Sequence, residues 1–492
     1  MTKKFFLVID QGTTSSRVVL YNRKFKVYDI VQKEFKQFFP NDGWVEHDPN
    51  EIWKTQLKAV KEVFKDDKID VEKIKSIGIT NQRETTVIWN RENGKPIYNA
   101  IVWQDRRTAQ MCENLSKQTT TFLEKTGLVL DAYFSGTKVK WILDNVKDAR
   151  KLAEQGKLAF GTIDTWLIWK LTKGKVHVTD VTNASRTLLF NINTLQWDDE
   201  ILDILKIPKE LLPKVVSSSE IVGYTDSSLF GKEIPISGIA GDQQSALFGQ
   251  MCIKEGDVKN TYGTGCFCIM NTGKKIIKSK NKMLSTIAWK LNNEVTYALE
   301  GSVFIAGAIV QWLRDKLNII KDASEIENLA KQVDDNGGIT FIPALSGLGA
   351  PYWNPNATGT IFGLTRDSNK SHIARAALEA IALRSREIII EMQKDAGFEF
   401  AELKVDGGAS KNNLLMQIQA NLLDKVVVRS KSPESTALGA AFFAGLSVGF
   451  WNSIEEIKGL WEKDVTFFPD SSSKKTQIII DQWNKSIRMI NG

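Results

Sequence analysis

The stretch FLVIDQGTTSSRVVLYN, residues 6–22, sets an acid, a glycine and four consecutive hydroxyl residues between two strand-like runs. A hairpin turn needs only about two to five residues, usually including Gly or Asn. The extra groups are therefore available for chemistry. Gly12 lets the backbone turn tightly. Thr13, Thr14 and Ser15 offer hydroxyl and amide donors, and Arg17 adds a positive charge. That set suits a phosphate. Asp10, at a strand end, is placed to hold Mg²⁺ directly or through water, because magnesium prefers oxygen ligands and keeps its waters. The Gly263-Thr264-Gly265 turn in VKNTYGTGCFCIMNTG repeats the design. Two such hairpins facing across a cleft would grip a polyphosphate from both sides, although either alone also reads as a plain hydroxyl-rich hairpin.

A phosphoryl acceptor needs its own contacts. The loop NQRE places Arg83 beside Glu84. Arginine donates to hydroxyl oxygens and glutamate accepts from hydroxyl protons, so the pair suits a polyol; a surface ion pair is the alternative. Phosphoryl transfer to an alcohol also needs a carboxylate to orient the hydroxyl and take its proton. EIPISGIAGDQQSALFG supplies Asp242 between a strand and a helix, at the strand end where α/β proteins place ligands. A helix N-cap is the other reading of Asp242. Trp103, in IVWQDRR, offers an apolar wall for the carbons of a small polyol, or else a core position. Gly407-Gly408 before a helix lets a base or ribose approach the backbone, and Gly307 and Gln311 share a helix face one turn apart.

The absences narrow the field. Neither a Gly-x4-Gly-Lys-Ser/Thr loop nor a Gly-x-Gly-x-x-Gly after the first strand occurs, which argues against a P-loop and a dinucleotide site. His47, His177 and His372 are scattered, which argues against a catalytic triad or a histidine metal cluster.

Strands and helical stretches alternate along the chain, as in the apolar-periodic helix of residues 50–64. The mixture predicts an α/β class with mixed sheets. The echo of the first hairpin at 258–273 reads as an internal duplication, with domains at 1–249 and 250–492. A chain of 492 residues is long enough for both to have real cores. The net charge of +7, from 65 basic and 58 acidic residues, is small at this length. The densest basic stretch, GKKIIKSKNK, lacks the interleaved aromatics of a nucleic-acid site. Four cysteines form no Cys-x-x-Cys pair, which suits reduced thiols in the cytoplasm. MTKKFFLVID reaches a charge too soon for a signal peptide. TALGAAFFAGLSVGF falls short of the roughly 20 residues that span a bilayer and reads as a buried helix.

Taken together, DQGTTSSR, GWVEHDP, TNQRET, WQDRRT, YFSGTKVKW, DTWLIWKLT, TDVTNASRTLL, GIAGDQQSALFGQ, NTYGTGCF, QWLRD, APYWNP, DGGASKNNLLMQ and ALGAAFFAGL resemble the FGGY carbohydrate kinases in order and nearly end to end. The TNQRET loop resembles the members that act on glycerol rather than on xylulose or ribulose. The resemblance implies an actin-like ATPase fold, two ribonuclease H-like domains around a central cleft. It implies ATP- and Mg²⁺-dependent phosphorylation of glycerol to sn-glycerol 3-phosphate, the first step of glycerol utilisation, in a cytoplasmic homo-oligomer (dimer or tetramer). By resemblance the glycerol contacts fall on Arg83, Glu84, Tyr133, Asp242 and Gln243, with Trp103 and Phe267 as apolar walls and Asp242 as the base. The nucleotide contacts fall on Thr13, Thr14, Ser15, Arg17, Thr264, Gly307, Gln311, Gly408 and Asn412. Some relatives carry a regulatory histidine, or a Gly/Arg loop for fructose 1,6-bisphosphate, in the region matching GYTDSSLFGKE at 223–233. This chain has no histidine there and offers only Gly231 and Lys232, so neither control is expected. A kinase with another polyol acceptor, or an actin-like ATPase without an acceptor, are the competing readings.

Overall fold

The structure, a computed structural model, describes residues 5–65, 69–354, 356–470 and 473–491. Residues 1–4, part of the start read above as too short for a leader, and Pro355 of APYWNP lie outside them. The chain forms two compact units. The first comprises residues 1–251, 285–297 and 434–460, and the second 252–284, 298–433 and 461–492. Both units are therefore discontinuous in sequence, with two later segments returning to the first.

The first unit is built on a six-stranded sheet of β1 (Phe5–Gln11), β2 (Ser15–Asn22), β3 (Val27–Glu34), β4 (Ile74–Asn81), β5 (Ser219–Tyr224) and β6 (Pro235–Gly241). Its order is β5-β6-β4-β1-β2-β3. β1 pairs antiparallel with β2 and parallel with β4, and β4 pairs parallel with β6. The inner strands are apolar on both faces, as expected of parallel strands covered on both sides. Leu7, Ile9, Ile77 and Ile79 pack into one core with Ile52, Val60 and Val63 of helix α1 (Pro49–Val63). The alternate positions face the other way. There Phe6 meets Phe450 at 5.3 Å between ring centroids.

That second face is covered by α3 (Ser435–Ser447), which follows α2 (Asp242–Gly249) in the first unit. The Thr-Ala-Leu-Gly-Ala-Ala-Phe-Phe helix is buried on every side, which explains why its sequence is apolar all round. It seats against β4 because Gly78 has no side chain: a Cβ there would lie 2.6 Å from the Ala440 carbonyl oxygen. This fit gives residues 434–460 their place in the first unit.

The second sheet contains β7 (Val258–Tyr262), β8 (Cys266–Gly273), β9 (Leu284–Leu291), β10 (Glu294–Val303), β11 (Glu402–Asp406), β12 (Val426–Ser430) and β13 (Lys463–Phe467), in the order β9-β10-β8-β7-β11-β12-β13. β7 pairs antiparallel with β8 and parallel with β11, and β11 parallel with β12. This repeats the hairpin-then-parallel plan of the first sheet, as the echo in sequence led us to expect. The helix Lys370–Ala396 supplies much of the apolar core.

The three histidines have structural surroundings. His47 is buried edge-on against Phe35, and burial lowers its pKa to about 4. His177 lies 2.8 Å from the Phe160 carbonyl, and His372 completes the capping box of Lys370–Ala396. All four cysteines are buried free thiols. Among the described residues no helix is long and apolar enough to cross a membrane.

Gly78→Ala should force α3 away from β4. Overpacking of this kind costs about 1–3 kcal/mol. A fall of several degrees in Tm is the expected result, and an unchanged Tm would show that the close approach carries no weight.

Candidate active site

β4 and β6 end side by side, with Gly241 paired to Asn81. The loop after β4 and the helix after β6 therefore leave the sheet at the same, C-terminal, end of these parallel strands. Arg83 and Glu84 are buried there, each with 2% side-chain exposure, so they are not the surface ion pair weighed above. The Arg83 Nε lies 3.1 Å from the Asp242 Oδ1 and 3.9 Å from the Glu84 Oε1, and its Nη1 donates to the Gln244 Oε1 at 3.0 Å. A Cβ on Gly241 would sit 2.6 Å from the Arg83 Cδ, so glycine is required for this approach.

Gly241 is the N-cap of α2, and Asp242 opens the helix; its Oδ1 accepts the Gln243 N–H at 2.8 Å. The Asp242 side chain is one-third exposed, unlike its partner Arg83. This is a carboxylate held by a buried cation yet open to an incoming group. Gln243 follows it, largely buried.

Trp103 and Tyr133 pack edge-to-face with ring centroids 5.6 Å apart. The Trp103 indole N–H also donates to the Thr13 Oγ1 at 3.0 Å. Gln82 makes a second tie to the first hairpin: its backbone N–H donates to the Gln11 carbonyl at 2.8 Å and its side-chain amide to that of Gly12 at 3.0 Å. The proposed polyol loop and the hydroxyl-rich turn are thus one connected piece.

Within that turn the Gly12 N–H donates to the Ser15 carbonyl at 3.0 Å, which leaves Thr14 exposed at the tip. Asp10 faces Arg17 across the hairpin. Burial pushes the Asp10 carboxyl up to about 7, against the lowering effect of Arg17. Arg17 is ion-paired with Glu434, so its charge is not simply free for an anion.

In the second unit, Thr264 is exposed at the tip of the β7–β8 turn. The N-terminus of the helix Gly307–Asp315 meets this turn, with the Gly307 and Ala308 N–H groups bonded to the Gly263 and Thr264 carbonyls at 3.0 and 3.1 Å. A Cβ on Gly307 would lie 2.6 Å from the Gly263 oxygen. Gln311 is exposed one turn along. Gly408 is exposed after β11, and the Asn412 side chain caps the helix Asn413–Leu423 by accepting the Leu415 N–H at 2.9 Å. Phe267 lies on β8 opposite Thr261, half-buried.

Several neighbours of the site had no role in the sequence reading. Arg186 Nε donates to the Glu84 Oε1 at 2.7 Å. Thr182 Oγ1 accepts the Gly241 N–H at 2.8 Å, and Gln244 and Glu434 hold Arg83 and Arg17. The segment around 182–186 entered the sequence reading only as TDVTNASRTLL, one of the motifs of the family resemblance, with no role given to its residues. In the 223–233 segment Lys232 is ion-paired with Glu72. Among the described residues no group of three or more His, Cys, Asp or Glu side chains is gathered as a metal centre.

Two mixed sheets of one strand plan, with glycine–hydroxyl hairpins in both and a buried arginine paired with a part-exposed aspartate in the first, define a sugar kinase of the actin-like ATPase class. Residues 5–249 match the N-terminal domain, and 258–448 the C-terminal domain, of the FGGY family of carbohydrate kinases. The chain belongs to that family. It is 56% identical to a glycerol kinase of Dichelobacter nodosus, covering 99% of this chain and 98% of that one. It is 57% identical to a glycerol kinase of Borrelia hermsii, covering 99% of both. The crystal structure of Plasmodium falciparum glycerol kinase with ADP superposes with a TM-score of 0.93 at 39% identity, over 99% of this chain and 98% of that one.

Elsewhere in the first unit, Asp164 accepts from the Thr179 hydroxyl at 2.8 Å, and burial raises its pKa from 3.8 to about 7. The folded state therefore binds its proton more tightly than the unfolded chain does. Its contribution to stability is full below about pH 4 and is lost as pH rises through about 7. Asp164→Asn should flatten this stretch of the stability–pH curve relative to the parent; identical slopes in chemical denaturation would refute the assignment.

Proposed function

We propose that this chain transfers the γ-phosphoryl group of ATP to glycerol, giving sn-glycerol 3-phosphate and ADP. The observation that carries the reading is the buried Arg83 set 3.1 Å from a part-exposed Asp242, with Glu84 beside it at the C-terminal ends of two parallel strands. This array of donors and acceptors fits the hydroxyls of a small polyol, in a chain whose near-full-length relatives bear the name glycerol kinase.

Glycerol hydroxyls receive hydrogen bonds from Arg83 and give them to Glu84, with Gln243 as a further polar contact. Trp103 and Tyr133 face its carbons, and Phe267 of the second unit is a further candidate wall. Asp242 accepts the proton of the attacking hydroxyl as its oxygen bonds to the γ-phosphorus. The bond to the bridging oxygen breaks, and ADP leaves with that electron pair. The candidate ATP contacts are Thr13, Thr14, Ser15 and Arg17 in the first unit, and Thr264, Gly307, Gln311, Gly408 and Asn412 in the second. Asp10 fits a magnesium site: it is a part-buried carboxyl that desolvation drives towards its neutral form, which a divalent cation would reverse, and Mg²⁺ commonly takes only one or two protein carboxylates besides water and phosphate. When bound, the ion offsets phosphate charge. The four free thiols suit a cytoplasmic setting. We extend the proposal to a homo-oligomer, a dimer or tetramer, which sedimentation would check.

The direct test is ADP release by the purified chain with MgATP and glycerol, erythritol or xylulose. Glycerol should be preferred by kcat/KM. Release that is indifferent to polyol would overturn the reading. Asp242→Asn should lower kcat by roughly 10² or more, the scale of general-base effects. Near-native turnover would remove Asp242 from that role. Arg83→Ala should raise the KM for glycerol and not that for ATP; the reverse pattern would reassign it.

A further inference from the structure

Glu84 has φ of +60°, a left-handed backbone uncommon for a residue with a side chain. Its carbonyl accepts from the Ser135 and Thr86 hydroxyls at 2.9 and 3.1 Å. Its carboxylate accepts from the Arg186 Nε at 2.7 Å. Arg186 is wholly buried, so this charge pair exists without water to loosen it. The Arg186 guanidinium carbon also lies 5.6 Å from the centre of the Tyr133 ring and 5.3 Å from that of Phe134, within cation–π range. One side chain therefore touches two of the residues read as glycerol contacts.

Arg186 is itself held by the segment before it. Asp180 caps the one-turn helix Val181–Ala184 by accepting the Thr182 and Asn183 N–H groups at 3.1 and 3.0 Å. The Thr182 hydroxyl donates to Asp180 and accepts from Gly241, at 2.8 Å in both cases. The side-chain amides of Asn183 and Asn81 exchange two hydrogen bonds, at 3.0 and 3.2 Å. Residues 180–183 thus tie the end of β4 to the end of β6, and Arg186 follows from that junction.

We propose that Arg186 is a positioning residue for the acceptor: it fixes the Glu84 carboxylate and the Tyr133 ring where the polyol meets them, and it takes no part in the bond exchange. The inference rests on the glycerol site proposed above. With Arg186 replaced, Glu84 keeps its chemistry but loses its fixed orientation, so glycerol binding suffers while nucleotide binding does not.

ADP-release kinetics on Glu84→Gln, Arg186→Gln, Arg186→Lys and the double variant E84Q/R186Q test this. Arg186→Gln should raise the KM for glycerol by about tenfold or more and leave that for ATP within about twofold, the pattern of lost acceptor binding. Arg186→Lys, which restores the charge without the planar fork, should recover part of the loss. It also keeps the test open if the Gln variant folds poorly. In the Glu84→Gln background, Arg186→Gln should add less than about twofold, because the two residues act as one unit. A full multiplicative effect there, or equal rises in both KM values, would overturn the positioning role while leaving the glycerol site standing. An unchanged glycerol KM in Glu84→Gln would overturn the site and this inference together.

Discussion

Arg83 carries its charge with almost no access to water, and the first unit is organised around that cost. A buried cation is tolerated only when acids and hydrogen bonds surround it. Asp242, Glu84 and the Gln244 carbonyl oxygen provide them. Glu84 is in turn paired with Arg186, so two guanidinium groups and two carboxylates form one neutral set. The parallel register that pairs Asn81 with Gly241 makes the set possible, because it brings the two following segments out at the same end of the strands. Gly241 completes it by having no Cβ to obstruct Arg83. Of the four charged groups, Asp242 is the one left part-exposed, which is the property a proton acceptor needs.

The hydroxyl-rich hairpin obeys the same constraint with a different balance. Asp10 and Arg17 face each other between β1 and β2, but Arg17 is shared with Glu434. Asp10 is left with more desolvation than compensation, and its pKa rises to about 7. Trp103 and Gln82 tie this hairpin to the Arg83 loop through Thr13 and Gly12. The turn and the wall of the proposed acceptor pocket therefore share hydrogen bonds within the first unit.

Much of this was legible in the chain. The two hairpins are local, and a Gly-Thr turn between β-branched runs announces itself at any depth of burial. The repeated sheet plan followed from the echo of those hairpins. The apolar helix near residue 440 was legible as buried because it has no polar face. Its attachment was not, since the decisive partner is a glycine whose lack of a side chain fits Ala440. Tyr133, Gln243, Phe267 and Asn412 entered only through family resemblance, because a tyrosine, glutamine, phenylalanine or asparagine of those surroundings has many ordinary uses.

The sequence by itself determined which segments could bind phosphate, which acids stand at strand ends, and that the chain is an α/β protein whose first hairpin is echoed in its second half. These depend on residue type and short spacing, which the backbone converts directly into turns, strands and caps. Only the tertiary structure decided which charges meet: Arg83 with Asp242, Glu84 with Arg186, Arg17 with Glu434. Each pairing links segments distant in the chain. Its strength comes from exclusion of water, a property of the packed molecule that no local stretch contains.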